Sequence, residues 1–173
     1  MEHWYMLTLV GEDRPGIVAK VTSALFDGEC NLGETSMIRL GGNFTIMMMV
    51  STDITGVQLE KLLSSVVDSL GLRLHVDRIK GLLHRHIVPD VRITVSGADR
   101  AGIVAKVTTA LAEAGLNILD LESDVAGSEE SPIYIMCIEG VAEEGVAALE
   151  AAVEVIAGEG INITISPLET LIG

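Results

Sequence analysis

Two short segments carry the side chains whose types and spacing best suit the binding of a small charged ligand. They read Asp13-Arg14-Pro15-Gly16-Ile17 and Asp99-Arg100-Ala101-Gly102-Ile103. A loop that leads into a helix offers free N–H groups to an anion, and a glycine there lets a ligand approach the backbone closely. The two arginines can bind an anion or pair with surface carboxylates. The sequence therefore predicts candidate ligand loops at both segments.

The two segments belong to an internal repeat. Residues 16–22 and 102–108 are identical and lie 86 residues apart, which is about half of the 173-residue chain. A repeat of that length indicates a duplicated domain rather than a short-period solenoid. We therefore predict a first domain over 1–81, a linker over 82–88 and a second domain over 89–173.

Each segment is expected to form a corner between a strand and a helix. Apolar β-formers precede it, and apolar residues spaced four apart, such as Ile17 and Val21, follow it. Pro15 suits the first helical turn, where its missing N–H costs nothing. Asp13 and Asp99 precede the helices, where a carboxylate can accept backbone N–H bonds and complement the helix dipole.

An asparagine follows the first helix in each repeat, namely Asn31 and Asn117. Each is predicted to open the second strand and to lie beside the corner, where its amide has both donors and acceptors for a small polar ligand. The alternative is a turn residue that makes local backbone bonds.

The pattern of apolar residues predicts the order βαββαβ twice. Helices are expected over 15–28, 56–70, 101–114 and 143–157, with Gly71 and Gly115 at the ends of two of them. Gly41-Gly42-Asn43 lies between two apolar runs and predicts a hairpin. Two such units form α+β sandwiches, each with an antiparallel sheet that has helices on one face.

Signatures of catalysis and of metal binding are absent from the sequence. The glycine spacing at the corners resembles a phosphate-binding loop, but Ile-Val stands where Lys and Ser or Thr are needed. His84 and His86 have no third ligand at a suitable spacing. Cys30 and Cys137 are too few for a disulfide framework and indicate reduced thiols in a cytoplasmic protein. We expect no enzyme activity, no metal and no cofactor.

The net charge of −14 limits the possible partners. Residues 1–81 carry 10 acidic and 7 basic side chains, and residues 82–173 carry 15 and 4. Duplex binding needs a basic patch, so direct contact with nucleic acid is not expected. No apolar run is long enough to span a bilayer. The acidic surface either keeps the chain solvated or meets a basic partner.

With both corners, the asparagines and the repeated βαββαβ order, the sequence resembles tandem ACT-domain proteins over nearly its whole length. That resemblance implies two ferredoxin-like regulatory modules that bind an amino acid at a domain interface. It maps the ligand loops onto Asp13, Arg14, Pro15, Gly16 and Ile17, onto Asp99, Arg100, Gly102 and Ile103, and the polar strand position onto Asn31 and Asn117.

A pair of ACT domains that stands alone resembles the glycine cleavage system transcriptional repressor group. This resemblance implies an amino-acid sensor, with glycine or serine as the first candidates, that acts through a protein partner such as a transcriptional activator. The alternative is a detached regulatory subunit that gives amino-acid feedback on a metabolic enzyme. We also expect a homodimer and a ligand between the two units.

Overall fold

The computed structural model of the chain describes residues 3–80, 87–98, 102–128, 131–157 and 161–168. The chain divides into a first unit, Met1–Arg85, and a second unit, His86–Gly173. The predicted boundaries at 1–81, 82–88 and 89–173 stay a prediction, because only two residues of the proposed linker are described. His84 and His86 lie outside the described residues.

The first unit has the predicted order. Its elements are β1 (His3–Glu12), α1 (Ile17–Asp27), β2 (Asn31–Leu40), β3 (Asn43–Thr52), α2 (Gly56–Leu70) and β4 (Arg73–Ile79). The four strands form one sheet in the order β2-β3-β1-β4, and every neighbouring pair is antiparallel.

The second unit repeats that topology. Its elements are β5 (Val91–Ala98), α3 (Ile103–Glu113), β6 (Leu116–Ser128), β7 (Ser131–Ala142), α4 (Val146–Glu154) and β8 (Ile161–Pro167). The sheet order is β6-β7-β5-β8, again antiparallel throughout. The α+β fold class, with two ferredoxin-like sheets, is therefore confirmed.

Each unit has its own core between its helices and one face of its sheet. In α1 the buried residues Ile17, Val21 and Leu25 lie four apart, which is the stripe that a helix turns toward a sheet. Leu7 and Leu9 of β1 are fully buried on the facing side. Burying one such side chain contributes about 1.5–3 kcal/mol. The described helices include none with the length and apolar character needed to cross a membrane.

Local sequence signals set the ends of α2, whereas the other helices are shorter than predicted, α4 most of all, since it spans Val146–Glu154 rather than 143–157. Helix α2 has the predicted bounds, because Thr55 and Gln58 form a capping box and Gly71 closes the other end in a left-handed conformation. Helix α1 begins at Ile17 with Gly16 as its N-cap, so Pro15 precedes the helix. The prediction that Pro15 lies in the first helical turn was wrong.

The sheet faces that are turned away from the helices differ between the units. In the first unit, Met6 of β1 is the cross-strand partner of Met49 of β3. The equivalent pair in the second unit is Arg92 with Glu139, whose side chains form an ion pair of 2.6 Å. At this position the outer face of the first sheet is therefore apolar, and that of the second is charged.

Candidate functional site

The first corner connects β1 to α1 through four residues, of which Gly16 determines the shape. Gly16 has φ 87° and ψ 1°, a left-handed conformation that residues with a side chain adopt only at a cost. Its carbonyl oxygen accepts the Lys20 N–H at 3.0 Å, which is the first bond of the helical ladder. No described side chain caps this helix end. The N–H groups of the first turn thus face an uncapped corner.

A cavity of about 330 Å³ lies at this corner. It is lined by Asp13, Arg14, Gly16, Ile17, Val18, Ala19, Met37 and Phe44. The structure thus brings together four of the five residues predicted in the first loop, whereas Pro15 is not among the lining residues. The walls combine charged side chains, the start of a helix and the apolar side chains of neighbouring strands.

Two ion pairs neutralise the charged side chains of the corner. Arg14 Nη2 donates to Glu12 Oε2 at 2.6 Å, and Arg39 Nε lies 2.6 Å from Asp13 Oδ2. The hydrogen bond from Arg14, together with its charge, lowers the pKa of the Glu12 carboxyl below its ordinary value. The Asp13 carboxylate is engaged by Arg39 rather than by the helix, so the expected capping role of Asp13 was wrong.

The hairpin between β2 and β3 also holds the corner in place. The Asp13 N–H donates to the carbonyl oxygen of Gly42 at 3.0 Å. Gly41 and Gly42 both have positive φ, as a tight turn at this point requires. The predicted turn therefore fixes the position of the first corner as well as connecting two strands.

Asn31 does not lie beside the corner of its own unit. Its partner across the sheet is Ser51, whose own partner on β1 is Trp4, near the start of that strand. The corner lies at the other end, after Glu12. The topological argument that placed Asn31 at the corner was therefore wrong.

The direction of the chain explains this error. Both β1 and β2 are antiparallel to β3, so they are parallel to each other. The end of β2, rather than its start, consequently lies at the corner. Met37 and Arg39 come from that end, and sequence reasoning missed both. The signal was available, because a strand–helix–strand connection within one sheet leaves its two strands parallel.

At the second corner, Gly102 has the same left-handed conformation as Gly16. Gly102 has φ 94° and ψ −1°, and its carbonyl oxygen accepts the Lys106 N–H at 2.9 Å. Ile103 is buried, as Ile17 is. The predicted Asp99 and Arg100 lie outside the described residues. Asn117 is the cross-strand partner of Val141, at the end of the sheet away from the corner.

Comparison with known proteins gives two matches to one family. Two family models, both described as the ACT domain, match residues 3–77 and residues 91–158. The UPF0237 protein YjhC of Lactococcus lactis subsp. lactis (strain IL1403) is 42% identical over 74 residues, which cover 41% of this chain and 83% of that protein.

Two further relatives cover most of the chain. The glycine cleavage system transcriptional repressor of Escherichia coli (strain K12) is 25% identical over 154 residues, or 88% of this chain and 81% of that protein. The crystal structure of a candidate glycine cleavage system transcriptional repressor has a TM-score of 0.74 at 18% identity and covers 98% of this chain and 99% of its own. That structural likeness shows the fold.

Proposed function

Because the chain belongs to the ACT-domain family, with one domain in each half, we propose that it is a non-catalytic regulator that senses a small amino acid. We further propose that it represses glycine cleavage by binding a protein partner such as a transcriptional activator. The name of the Escherichia coli relative, which matches over 88% of this chain, supports that choice of pathway.

The cavity at the first corner is the observation that carries the proposal. A ligand carboxylate would meet the uncapped N–H groups at the start of α1, where the helix dipole favours negative charge. Asp13 lines the same cavity, and while its Oδ2 pairs with Arg39, its Oδ1 would accept the ligand's ammonium group. The cavity thus offers one group for each charge of an amino acid: the start of α1 for the carboxylate and Asp13 for the ammonium group.

The apolar walls disfavour a charged ligand side chain. Ile17 and Phe44 are almost fully buried and line the cavity together with Met37. A long charged side chain would lose its hydration against these walls, which is costly without a partner. Glycine and serine are the first candidates because of the similarity to the glycine cleavage system transcriptional repressor. That the ligand lies between the two units stays a prediction.

Calorimetry with individual amino acids tests the ligand site. Asp13→Asn should weaken binding by roughly 1–3 kcal/mol, because it removes the negative acceptor of the ammonium group. Asp27→Asn, the same change at the exposed far end of α1, is the matched control and should bind as the unmodified chain does. Equal affinities of all three proteins would place the site elsewhere.

The two asparagines extend this series. Asn31 lies at the other end of its sheet, so Asn31→Ala should leave the affinity of a site at the first corner unchanged. Asn117→Ala tests the second unit in the same way. A loss of affinity in either variant would show that the ligand contacts that strand start and would revise the site.

The proposed partner is a protein because the net charge of −14 opposes contact with DNA phosphates. Fluorescence anisotropy with a labelled duplex should detect no binding, even at low salt. Tight, salt-sensitive binding of a promoter fragment would overturn the partner-mediated mechanism. Affinity capture from native cells should return a DNA-binding regulator, whereas a metabolic enzyme would support the role of a detached regulatory subunit.

A further inference from the structure

Strand β6 forms a long unpaired edge of the second sheet. It runs for 13 residues, Leu116–Ser128, and among the described residues it pairs only with β7. Every residue from Leu119 to Ser128 is exposed. An edge of this kind presents a row of free backbone N–H and C=O groups, and these can pair with another extended chain.

The two faces of β6 have different chemistry. Asp120, Glu122 and Asp124 alternate along one face, so successive carboxylates lie about 7 Å apart. Leu121 and Val125 occupy the other face, beside Ile138 and Tyr134 of β7, and remain 39% and 55% exposed. The edge therefore combines an acidic row, an apolar row and unpaired backbone groups.

The acidic row is not neutralised within the described part of the chain. Asp120, Glu122 and Asp124 form no ion pair with a described residue. One oxygen of Asp124 accepts the Val125 N–H at 2.7 Å. The neighbouring cation on this face, Arg92, is already paired with Glu139. The charge of the row is thus available to a partner.

The same row opposes pairing of β6 with a second copy of itself. Two β6 strands side by side would place carboxylates opposite carboxylates, and like charges directly opposite each other are destabilising. At the positions of β2 that are equivalent to Glu122 and Asp124, the first unit instead has Ser36 and Ile38. Of these two edge strands, β6 is therefore the one that favours a positively charged strand as its neighbour.

We propose that β6 binds a basic, extended segment of a protein partner as an added strand of the second sheet. Lysine or arginine at alternate positions of that segment lies opposite the acidic row, and the apolar residues between them cover Leu121 and Val125. This inference rests on the proposed function for the existence of a protein partner, but its test requires only the purified chain.

Binding of labelled peptides about nine residues long tests the inference. An alternating arginine–valine peptide should bind, and its affinity should fall as salt rises. A peptide with the same residues in two blocks, and an alternating peptide N-methylated along its backbone, should each bind about tenfold more weakly. Equal binding of the N-methylated peptide would show attraction by charge alone and would overturn the proposal.

Charge-reversal variants locate the site. Glu122→Lys should weaken binding of the alternating peptide by about tenfold or more. Glu150→Lys changes the net charge equally at an exposed site on α4 and should change affinity by less than about twofold. Equal effects of the two variants, or a dimer that Glu122→Lys disrupts, would overturn the proposal.

Amino-acid binding by Glu122→Lys should match that of the unmodified chain, which separates this test from that of the proposed function.

Discussion

One cross-strand pair separates the two units more clearly than any other feature. Where the first sheet pairs Met6 with Met49, the second pairs Arg92 with Glu139. The topology and the left-handed corner glycines are the same in both units. The units therefore share their topology and the conformation of the corner glycine, and differ in the chemistry of their outer sheet faces. Regulation by a small ligand and contact with a macromolecule can then reside on different parts of one repeated fold.

The cores should respond equally to truncation. Leu7 and Ile93 are equivalent, fully buried residues on the central strands β1 and β5. Leu7→Ala and Ile93→Ala should each lower the free energy of unfolding by roughly 2–5 kcal/mol, because each leaves a cavity in a packed core. Denaturant titration measures both. A cost much smaller in one unit would show a loosely packed core there and would break the equivalence.

The corner glycines provide the next largest effect. Gly16→Ala and Gly102→Ala should each cost about 1–2 kcal/mol, because φ near 90° is unfavourable for a residue with a side chain. Asparagine tolerates this conformation better, so Gly16→Asn should cost less than Gly16→Ala. If alanine is harmless at one corner only, the two corners do not share one shape.

The edge strands should differ in self-association. If the chain forms the predicted homodimer through β2, Ile38→Lys should raise its dissociation constant about tenfold, because a charge is placed on an apolar edge. Ile38 is 63% exposed. Ser123→Lys on β6 is the control and should have no such effect. Sedimentation measurements of both variants decide this, and a monomer at all micromolar concentrations would contradict the prediction of a dimer.

The smallest expected effect is a change in one titration. Arg14→Gln should return the pKa of Glu12 upward toward its ordinary value, because the hydrogen bond and the positive charge that lower it are removed. Since the folded pKa is the lowered one, the contribution of this pair is present at neutral pH and is lost as the pH falls through that pKa. NMR titration of the Glu12 carboxyl measures the shift, and an unchanged pKa would exclude Arg14 as its cause.

Local signals allowed accurate prediction of the order of the elements and of the bounds of α2. Helix α2 has the expected bounds because its capping box and terminal glycine lie beside it in the sequence. Helix α1 begins two residues later than expected because Gly16 takes a left-handed conformation. That conformation belongs to the corner as a whole, so the helical periodicity that follows does not reveal it.

Contacts between distant residues were harder to predict. The ion pair between Asp13 and Arg39 forms only because the end of β2 returns to the corner. Met37 and Phe44 line the cavity for the same reason. Asn31 was misplaced because its position depends on strand direction rather than on any neighbouring residue. The residues of the loop could thus be predicted from the sequence. The residues around the loop could be identified only from the arrangement of the strands in the sheet.

The central position of β1 has a consequence for how the chain is made. Its two partners are β3 and β4, and Trp4 pairs with Ile79. At a synthesis rate of roughly 5–20 residues per second, β1 waits about 3–15 s after it is made before β4 exists to pair with it. Its backbone N–H and C=O groups on the β4 side stay unpaired for that time, which gives chaperones an opportunity to bind. The first sheet can then close before β8, which starts at Ile161, has been synthesised.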